Sequence, residues 1–213
     1  MNINLVRPIM PHLTTPKPGA LAEFLAGFIF VAVIAFVSFL LGRYVSRKFK
    51  TDKKKSILIF IAVSVIVGIG LFCFFGLSAE AIKGIIFCHI LLTASISDLN
   101  TRECDDWLSV MILIASFIGT DVKTIPLRLL SGVVILILIL IPALLTKGHM
   151  IGGADIKIAT CSAVMLGLTK SIIALIAGLA ISIIVNFIKL KDTDKGFPLL
   201  PYFALTFIPA FFI

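Results

Sequence analysis

Long apolar runs, separated only by short polar stretches, constrain the fold of this chain more than any other feature. The runs occupy approximately residues 20–42, 56–77, 79–97, 107–119, 125–145, 154–168, 171–188 and 198–213. A transmembrane helix needs about 20 consecutive apolar residues, with a range of roughly 17–25. The pattern therefore predicts an all-α protein, a polytopic transmembrane helical bundle with about eight spans.

Two of the runs, 107–119 and 154–168, are short for a full span. They are either short spans beside a thinned or wetted site or partly re-entrant segments. Eight spans fit the pattern best, and six or seven are the alternative.

The composition agrees with a membrane protein. Hydrophobic residues make up 60% of the 213 positions, charged residues make up 14%, and the mean hydropathy is +1.16. A soluble domain carries roughly 25% charged residues. The net charge of +8 lies in the short stretches between apolar runs. Basic residues there set membrane orientation, so we expect no nucleic-acid partner. The absence of a Cys-x-x-Cys pair argues against structural zinc.

The beginning of the chain differs from the rest. Residues 1–19 include four prolines and end in Gly19, a spacing that forbids a stable helix. We predict an irregular N-terminal leader over 1–19 and a single polytopic membrane domain over 20–213. The run from Ala20 to Leu41 is longer than the apolar region of a signal peptide, so it is expected to remain as the first span.

The basic residues predict the orientation of the helices. Alternation over eight spans places thirteen Lys and Arg on one side and six on the other. The larger set is Arg43, Arg47, Lys48, Lys50, Lys53, Lys54, Lys55, Arg102, Lys147, Lys157, Lys189, Lys191 and Lys195. The smaller set is Arg7, Lys17, Lys83, Lys123, Arg128 and Lys170. By the positive-inside rule, the larger set faces the cytoplasm.

Two polar stretches on that side contain the candidate chemistry. Asp98 closes one apolar run, and Asp155 opens another. An ionisable residue at the edge of the bilayer core is costly and is therefore a functional candidate. Two aspartates held together share a proton, so one can act as general base on a water while the other polarises a carbonyl. The alternative for Asp155 alone is a helix N-cap.

Residues beside Asp155 support the same interpretation. Gly152 and Gly153 allow a sharp turn and a close approach of the backbone to a partner or substrate. Lys157 follows two residues after Asp155 and could add positive potential near the pair. We therefore take Gly152, Gly153 and Lys157 as supporting residues of a site that contains no metal.

These stretches resemble motifs of the type IV prepilin peptidases and related preflagellin peptidases, polytopic aspartic proteases of the GxGD type. The first motif is an aspartate at the end of a span, a basic stretch and then Ile-Pro-Asn; residues 98–108 read Asp-Leu-Asn-Thr-Arg-Glu-Cys-Asp-Asp-Trp-Leu. The second is a glycine-rich turn, Asp, one residue and Lys; residues 152–157 read Gly-Gly-Ala-Asp-Ile-Lys. Pro-Leu-Leu-Pro at 198–201 is similar to the family's Pro-Phe-Gly-Pro. The resemblance covers roughly residues 80–213.

The sequence also departs from the family pattern. Cys104-Asp105-Asp106 stands where Ile-Pro-Asn is usual, and Ala154 replaces a glycine. We expect Asp105 and Asp106 to be dispensable for bond cleavage. The four-cysteine zinc domain of larger, methylating family members has no counterpart here, so we expect a monofunctional form.

The resemblance implies an activity, a substrate and a location. The activity is endopeptidase cleavage, by Asp98 and Asp155, of the basic leader of prepilin-like precursors, which are the pilins of type IV pili or the pseudopilins of type II secretion. No cofactor is implied. The partners are these precursors and the lipid bilayer. The protein would lie in a bacterial or archaeal cytoplasmic (inner) membrane with its active site facing the cytoplasm.

Other functions remain as alternatives. The altered first motif is compatible with an inactive scaffold of a pilus or secretion system. An ion- or proton-coupled transporter would use Asp98 and Asp155 to bind cations. A protease of the presenilin or signal-peptide-peptidase type is disfavoured, because Ser97 rather than tyrosine precedes Asp98.

The charge distribution generates a prediction about topology. Cysteine labelling or reporter fusions should place residues 43–55, 99–106, 147–153 and 189–197 in the cytoplasm, because these segments contain most of the basic residues. Finding 99–106 and 147–153 on opposite faces of the membrane would exclude a shared active site.

Overall fold

A computed structural model of the chain describes residues 20–50, 52–145, 151–189 and 198–213. The predicted leader, residues 1–19, lies outside the described residues. The described part contains eight α-helices, one short 3-10 helix and no strand. The α-helices are α1 Ala20–Lys48, α2 Lys53–Phe75, α3 Ala79–Thr101, α4 Asp106–Ser116, α5 Ile125–Leu145, α6 Gly153–Leu166, α7 Leu168–Lys189 and α8 Leu200–Ala210, and the 3-10 helix Val122–Thr124 precedes α5.

The all-α prediction is confirmed, and each predicted apolar run corresponds to one helix. In the described part of the chain, α1, α2, α3, α5 and α7 are long and apolar enough to cross a membrane. The helices α4, α6 and α8 have 11, 14 and 11 residues. At 1.5 Å per residue they are about 17–21 Å long, well short of a hydrocarbon core of about 30 Å. The short helices are therefore not full spans by themselves.

Polar residues and glycines set the helix ends. The Ser78 side chain accepts a hydrogen bond from the Ala81 amide and begins α3, and Asp52 accepts from Lys54 at the start of α2. Such side chains satisfy amides that the first turn of a helix leaves free. Gly167, with φ of +84°, separates α6 from α7.

The helices pack in a definite order. Helices α1 and α2 pack on each other and on α3, which also contacts α4 and α8. Helix α6 contacts α4, α5, α7 and α8, whereas α3 and α6 do not pack directly. The end of α3 and the beginnings of α4, α6 and α8 meet at one end of the bundle. We call this the aspartate end, because Asp98 and Asp155 lie there.

Helix α3 occupies the centre, and its polar side chains are satisfied by protein. His89, in the middle of α3, contacts Ser38 of α1 through Nε2 at 2.8 Å and Ser64 of α2 at 3.3 Å. Its Nδ1 lies 2.8 Å from the carbonyl of Ile85. Polar groups away from water are costly unless they are hydrogen-bonded. This cluster therefore fixes how the first three helices face one another.

The close packing of α1 on α2 depends on Gly42. A Cβ atom at this position would lie 2.8 Å from the Cα atom of Ile57. Because the opposing atom belongs to the backbone, no side-chain rotation could relieve the contact. At Gly70 of α2, by contrast, a Cβ would meet only the ring of Phe212, at 3.2 Å.

Comparing two Gly→Ala substitutions tests this packing. Alanine gains up to about 1 kcal/mol over glycine in a helix. At Gly42 overpacking should outweigh that gain, and Gly42→Ala should cost about 1–3 kcal/mol of unfolding free energy. Gly70→Ala, the control, should be neutral or stabilising because the Phe212 ring can move. Thermal and denaturant unfolding of the purified protein in detergent measures both. Equal stability of the two variants would contradict the close-approach argument.

Candidate active site

Asp98 lies in the last turn of α3 and is half-buried. Its Oδ2 accepts a hydrogen bond of 3.2 Å from the amide of Leu200, the first residue of α8. The hydroxyl of Ser95 donates to the Leu200 carbonyl at 3.3 Å, one turn earlier on α3. The first amides of a helix lack partners within the helix and favour a negative charge. The beginning of α8 therefore holds the Asp98 carboxylate in place.

Asp155 is the third residue of α6 and only 8% exposed. The N-cap of α6 is Gly152, so Asp155 itself is not the N-cap. The Gly152 amide donates to Oδ2 of Asp155 at 3.1 Å. The carboxylate thus turns back over the first turn of its own helix.

Burial dominates the protonation of Asp155. Burial raises the pKa of this carboxyl to about 7, and repulsion from Asp98 adds to the rise, whereas the Gly152 hydrogen bond opposes it. Asp155 therefore retains a proton at a pH where an exposed aspartate has lost it. Near neutral pH the two aspartates can share one proton, which is the state required for acid–base chemistry on a bound substrate.

The two aspartates are carried by helices that meet at the same end of the bundle. Helices α3 and α6 do not pack directly, and α4 and α8 each contact both of them. The charge of Asp98 contributes to the raised pKa of Asp155. No hydrogen bond joins them among the described residues.

The two glycines before Asp155 differ in their surroundings. Neither has a positive φ, so the backbone turn does not require glycine. A Cβ at Gly152 would lie 3.1 Å from the Oδ2 atom of Asp155. A Cβ at Gly153 would meet no described atom within 4 Å. Gly152 thus lies against the Asp155 carboxylate, whereas Gly153 has open space around it.

Lys157 is placed differently from the sequence-based expectation. Its ammonium group donates to Oδ1 of Asp106 at 2.8 Å, and both side chains are exposed. Asp106 therefore offsets the charge of Lys157 at the surface, which weakens any effect of that charge on Asp98 and Asp155. Asp105 similarly pairs with Lys48, which holds the pKa of Asp105 below its usual range. Exposed pairs contribute about 0–1 kcal/mol each, so these two connect helix ends only weakly.

Three residues of the motif segments have surroundings in the structure that the motifs did not predict. The thiol of Cys104 is partly buried, and its pKa is raised to about 12, chiefly by burial and then by the charges of the surrounding aspartates, including Asp98 and Asp155. Arg102 ends α3 with φ of 59° and lies close enough for its charge to act on Asp98. The only sequence clue to the Leu200 contact was the proline pair that flanks it.

The described residues contain no group of three or more His, Cys, Asp or Glu side chains that could hold a metal ion. The fold and the site together define a helical membrane protein with a buried aspartate and a half-buried aspartate at one end of its bundle. The model of the type IV leader peptidase family matches residues 85–187, which include both aspartates, and this match supports the prepilin peptidase family. No curated protein and no solved structure gives a significant match. The protein is thus a peptidase of the membrane.

The different environments of the two glycines generate a prediction. Gly152→Ala should lower peptidase activity about tenfold, because its Cβ would press on the Asp155 carboxylate and small misplacements of reacting groups are costly. Gly153→Ala, the matched control, should retain most activity. Cleavage of a precursor by purified variants of equal stability measures the difference. A larger loss in Gly153→Ala would show that contact with substrate, not support of Asp155, is what this turn requires.

Proposed function

We propose that the protein is an aspartic endopeptidase in which Asp98 and Asp155 form the catalytic pair. The observation that carries the proposal is the convergence of these two carboxyl groups from the end of α3 and the start of α6, with the pKa of Asp155 raised to about 7. Both lie within the segment that matches the family. Perturbed carboxyl groups of this kind are typical of acid–base sites.

Burial favours one distribution of roles, because each carboxylate accepts one backbone amide. Asp98 is only half-buried, so we assign it as the base that takes a proton from water. Asp155, the more buried carboxyl, holds the proton and donates it to the scissile carbonyl oxygen. The resulting hydroxide adds to the carbonyl carbon. Collapse of this intermediate breaks the C–N bond, the leaving amine receives the proton that Asp98 took from water, and the proton on the former carbonyl oxygen returns to Asp155.

The architecture supports access of both water and substrate. The aspartate end is surrounded by α4, α6 and α8, the three helices too short to cross the hydrocarbon core. Short helices leave the ends of the site near the headgroup region, where water is available. The exposed apolar side chains of Trp107, Val110 and Ile114 on α4 provide a lipid-facing surface beside the site.

We propose that the substrates are prepilin-like precursors, with a short basic leader followed by an apolar helix. The substrate helix would lie in the bilayer while its leader reaches the aspartate end from the cytoplasm. The basic residues at this end, including Arg47 and Lys48 of α1, support a cytoplasmic position. The family match supports leader cleavage as the reaction.

Removal of either titratable group should abolish cleavage. Asp98→Asn and Asp155→Asn keep the side-chain shape, and each should reduce processing by orders of magnitude. The double variant should be scarcely worse than either single one, because a catalytic pair acts as a unit. Glu at either position should also fail, since a displacement of about 1 Å can cost roughly 10²-fold in rate. The assay is the gel shift of a co-expressed precursor in a host without another such peptidase.

Asp105→Asn and Asp106→Asn are matched controls for this experiment. Each loses only an exposed ion pair and should leave most processing intact. Membrane insertion and accumulation should be normal in all variants. Processing that persists in both Asp98→Asn and Asp155→Asn would rule out aspartic catalysis and favour the scaffold or the transporter.

The raised pKa of Asp155 predicts a pH dependence. Asp155 must be protonated in the proposed mechanism, and it loses its proton as the pH rises through about 7. The value of kcat/KM should therefore fall on the alkaline side, by about tenfold per pH unit. Cys104→Ser should leave this limb unchanged, because the thiol titrates only at about 12. A flat alkaline profile in the purified enzyme would contradict Asp155 as the proton donor.

A further inference from the structure

A second polar site lies at the opposite end of the bundle from the aspartates. A cavity of about 230 Å³ opens there among the ends of six helices, with polar residues Glu80, Arg128 and Lys170 and aromatic residues Phe75 and Phe211 in its lining. Glu80 begins α3, and Asp98 lies eighteen residues later on the same helix. At 1.5 Å per residue, Glu80 lies about 27 Å from Asp98 along α3, and Leu166, also in the lining, lies about 17 Å from Asp155 along α6. The proposed peptidase reaction therefore does not use it.

The charges around this cavity do not balance. Glu80 accepts a hydrogen bond of 2.9 Å from Lys83, a side chain only 1% exposed, which also donates to Thr120. The single carboxylate of the lining is thus already paired. Arg128 and Lys170 add two further positive charges. The cluster contains three cations and one anion, which leaves an excess of two positive charges.

The two cations of the lining retain free hydrogen-bonding capacity. Arg128 donates through Nη1 to the carbonyl of Met165, near the end of α6, which leaves most of its N–H groups unused. Lys170 makes no hydrogen bond or ion pair to any residue that the structure describes. Arg128 repels the partly buried Lys170, and the attraction of Glu80 for Lys170 is the smaller of the two effects. An anion between the two cations would relieve this repulsion.

We propose that this cavity binds a phosphate group with net negative charge, held by Arg128 and Lys170. The planar guanidinium of arginine matches phosphate oxygens in a two-pronged contact, and the lysine adds a flexible point charge. The source is either the headgroup of an anionic phospholipid or free phosphate. Phe75, Met165 and Phe211 give the cavity apolar walls that an acyl chain would contact, which favours the lipid.

Lys170 is the residue to test, because its substitution breaks no hydrogen bond or ion pair to any residue that the structure describes. Lys170→Gln should weaken binding about tenfold or more, as expected for a hydrogen bond between charged groups. Lys170→Arg should restore most of it. Lys123→Gln removes an exposed lysine from the same end of the bundle but outside the cavity, and it should bind like the unmodified protein. Equal melting temperatures without ligand show that each variant is folded.

Two arms of the experiment distinguish the sources of phosphate. In the first, native mass spectrometry of the full chain compares retention of phosphatidylglycerol and phosphatidylcholine with the same acyl chains. In the second, sodium phosphate is titrated against sodium chloride, and thermal stabilisation is measured in detergent without lipid. Stabilisation follows from binding to the folded state alone.

A lipid site is supported if the protein retains phosphatidylglycerol better than phosphatidylcholine. Lys170→Gln should reduce this preference, and Lys123→Gln should not. Stabilisation by phosphate alone with the same dependence on Lys170 supports a site for the free anion. The proposal is overturned if Lys170→Gln and Lys123→Gln behave alike in both arms, or if the unmodified protein shows neither effect. Because the readout is binding, loss of peptidase activity in an aspartate variant leaves the result unaffected.

Discussion

Burial of α3 within the bundle is the constraint on which the rest of the structure depends. In the segment of α3 that is most apolar, 72% of residues are buried by protein, compared with 17–28% for the other candidate spans. It also has the lowest hydropathy of these spans, 1.6 against 2.6–3.0. A helix with this many polar groups is costly in lipid. Surrounding it with α1, α2, α4 and α8 satisfies those groups and fixes the neighbours around it.

Helix α3 has three polar levels with different physical roles. In its middle, His89 is hydrogen-bonded by Ser38, Ser64 and the Ile85 carbonyl, so its polarity serves packing between helices. At its start, Lys83 pairs with Glu80 beside a cavity with excess positive charge. At its end, Asp98 accepts a hydrogen bond from α8, and its charge acts on Asp155. A satisfied cluster specifies how helices pack, whereas an incompletely compensated charge remains available for a ligand or a reaction.

At the aspartate end, opposing effects act on the protonation of Asp155. The start of α6 and the Gly152 amide favour a charged Asp155, but burial and the neighbouring Asp98 favour the neutral form and determine the net effect. Burial is strong here because α4 and α8 cover the site on two sides. The exposed ion pairs of Lys48 with Asp105 and Lys157 with Asp106 lie outside this covered region. They are partly to largely exposed and contribute little to the properties of the aspartate pair.

The sequence by itself determined the all-α class, the positions of the eight helices and the two aspartates at the ends of apolar runs, because hydropathy and helix ends are local properties of the chain. It did not determine the partner of Lys157, the distinct roles of Gly152 and Gly153, or the capture of Asp98 by the amide of Leu200. These depend on contacts between residues up to 102 positions apart. The cavity beside Arg128 and Lys170 likewise exists only where six helix ends meet. Only the tertiary structure decides such features, since the same local pattern of apolar residues permits many ways of packing the helices against one another.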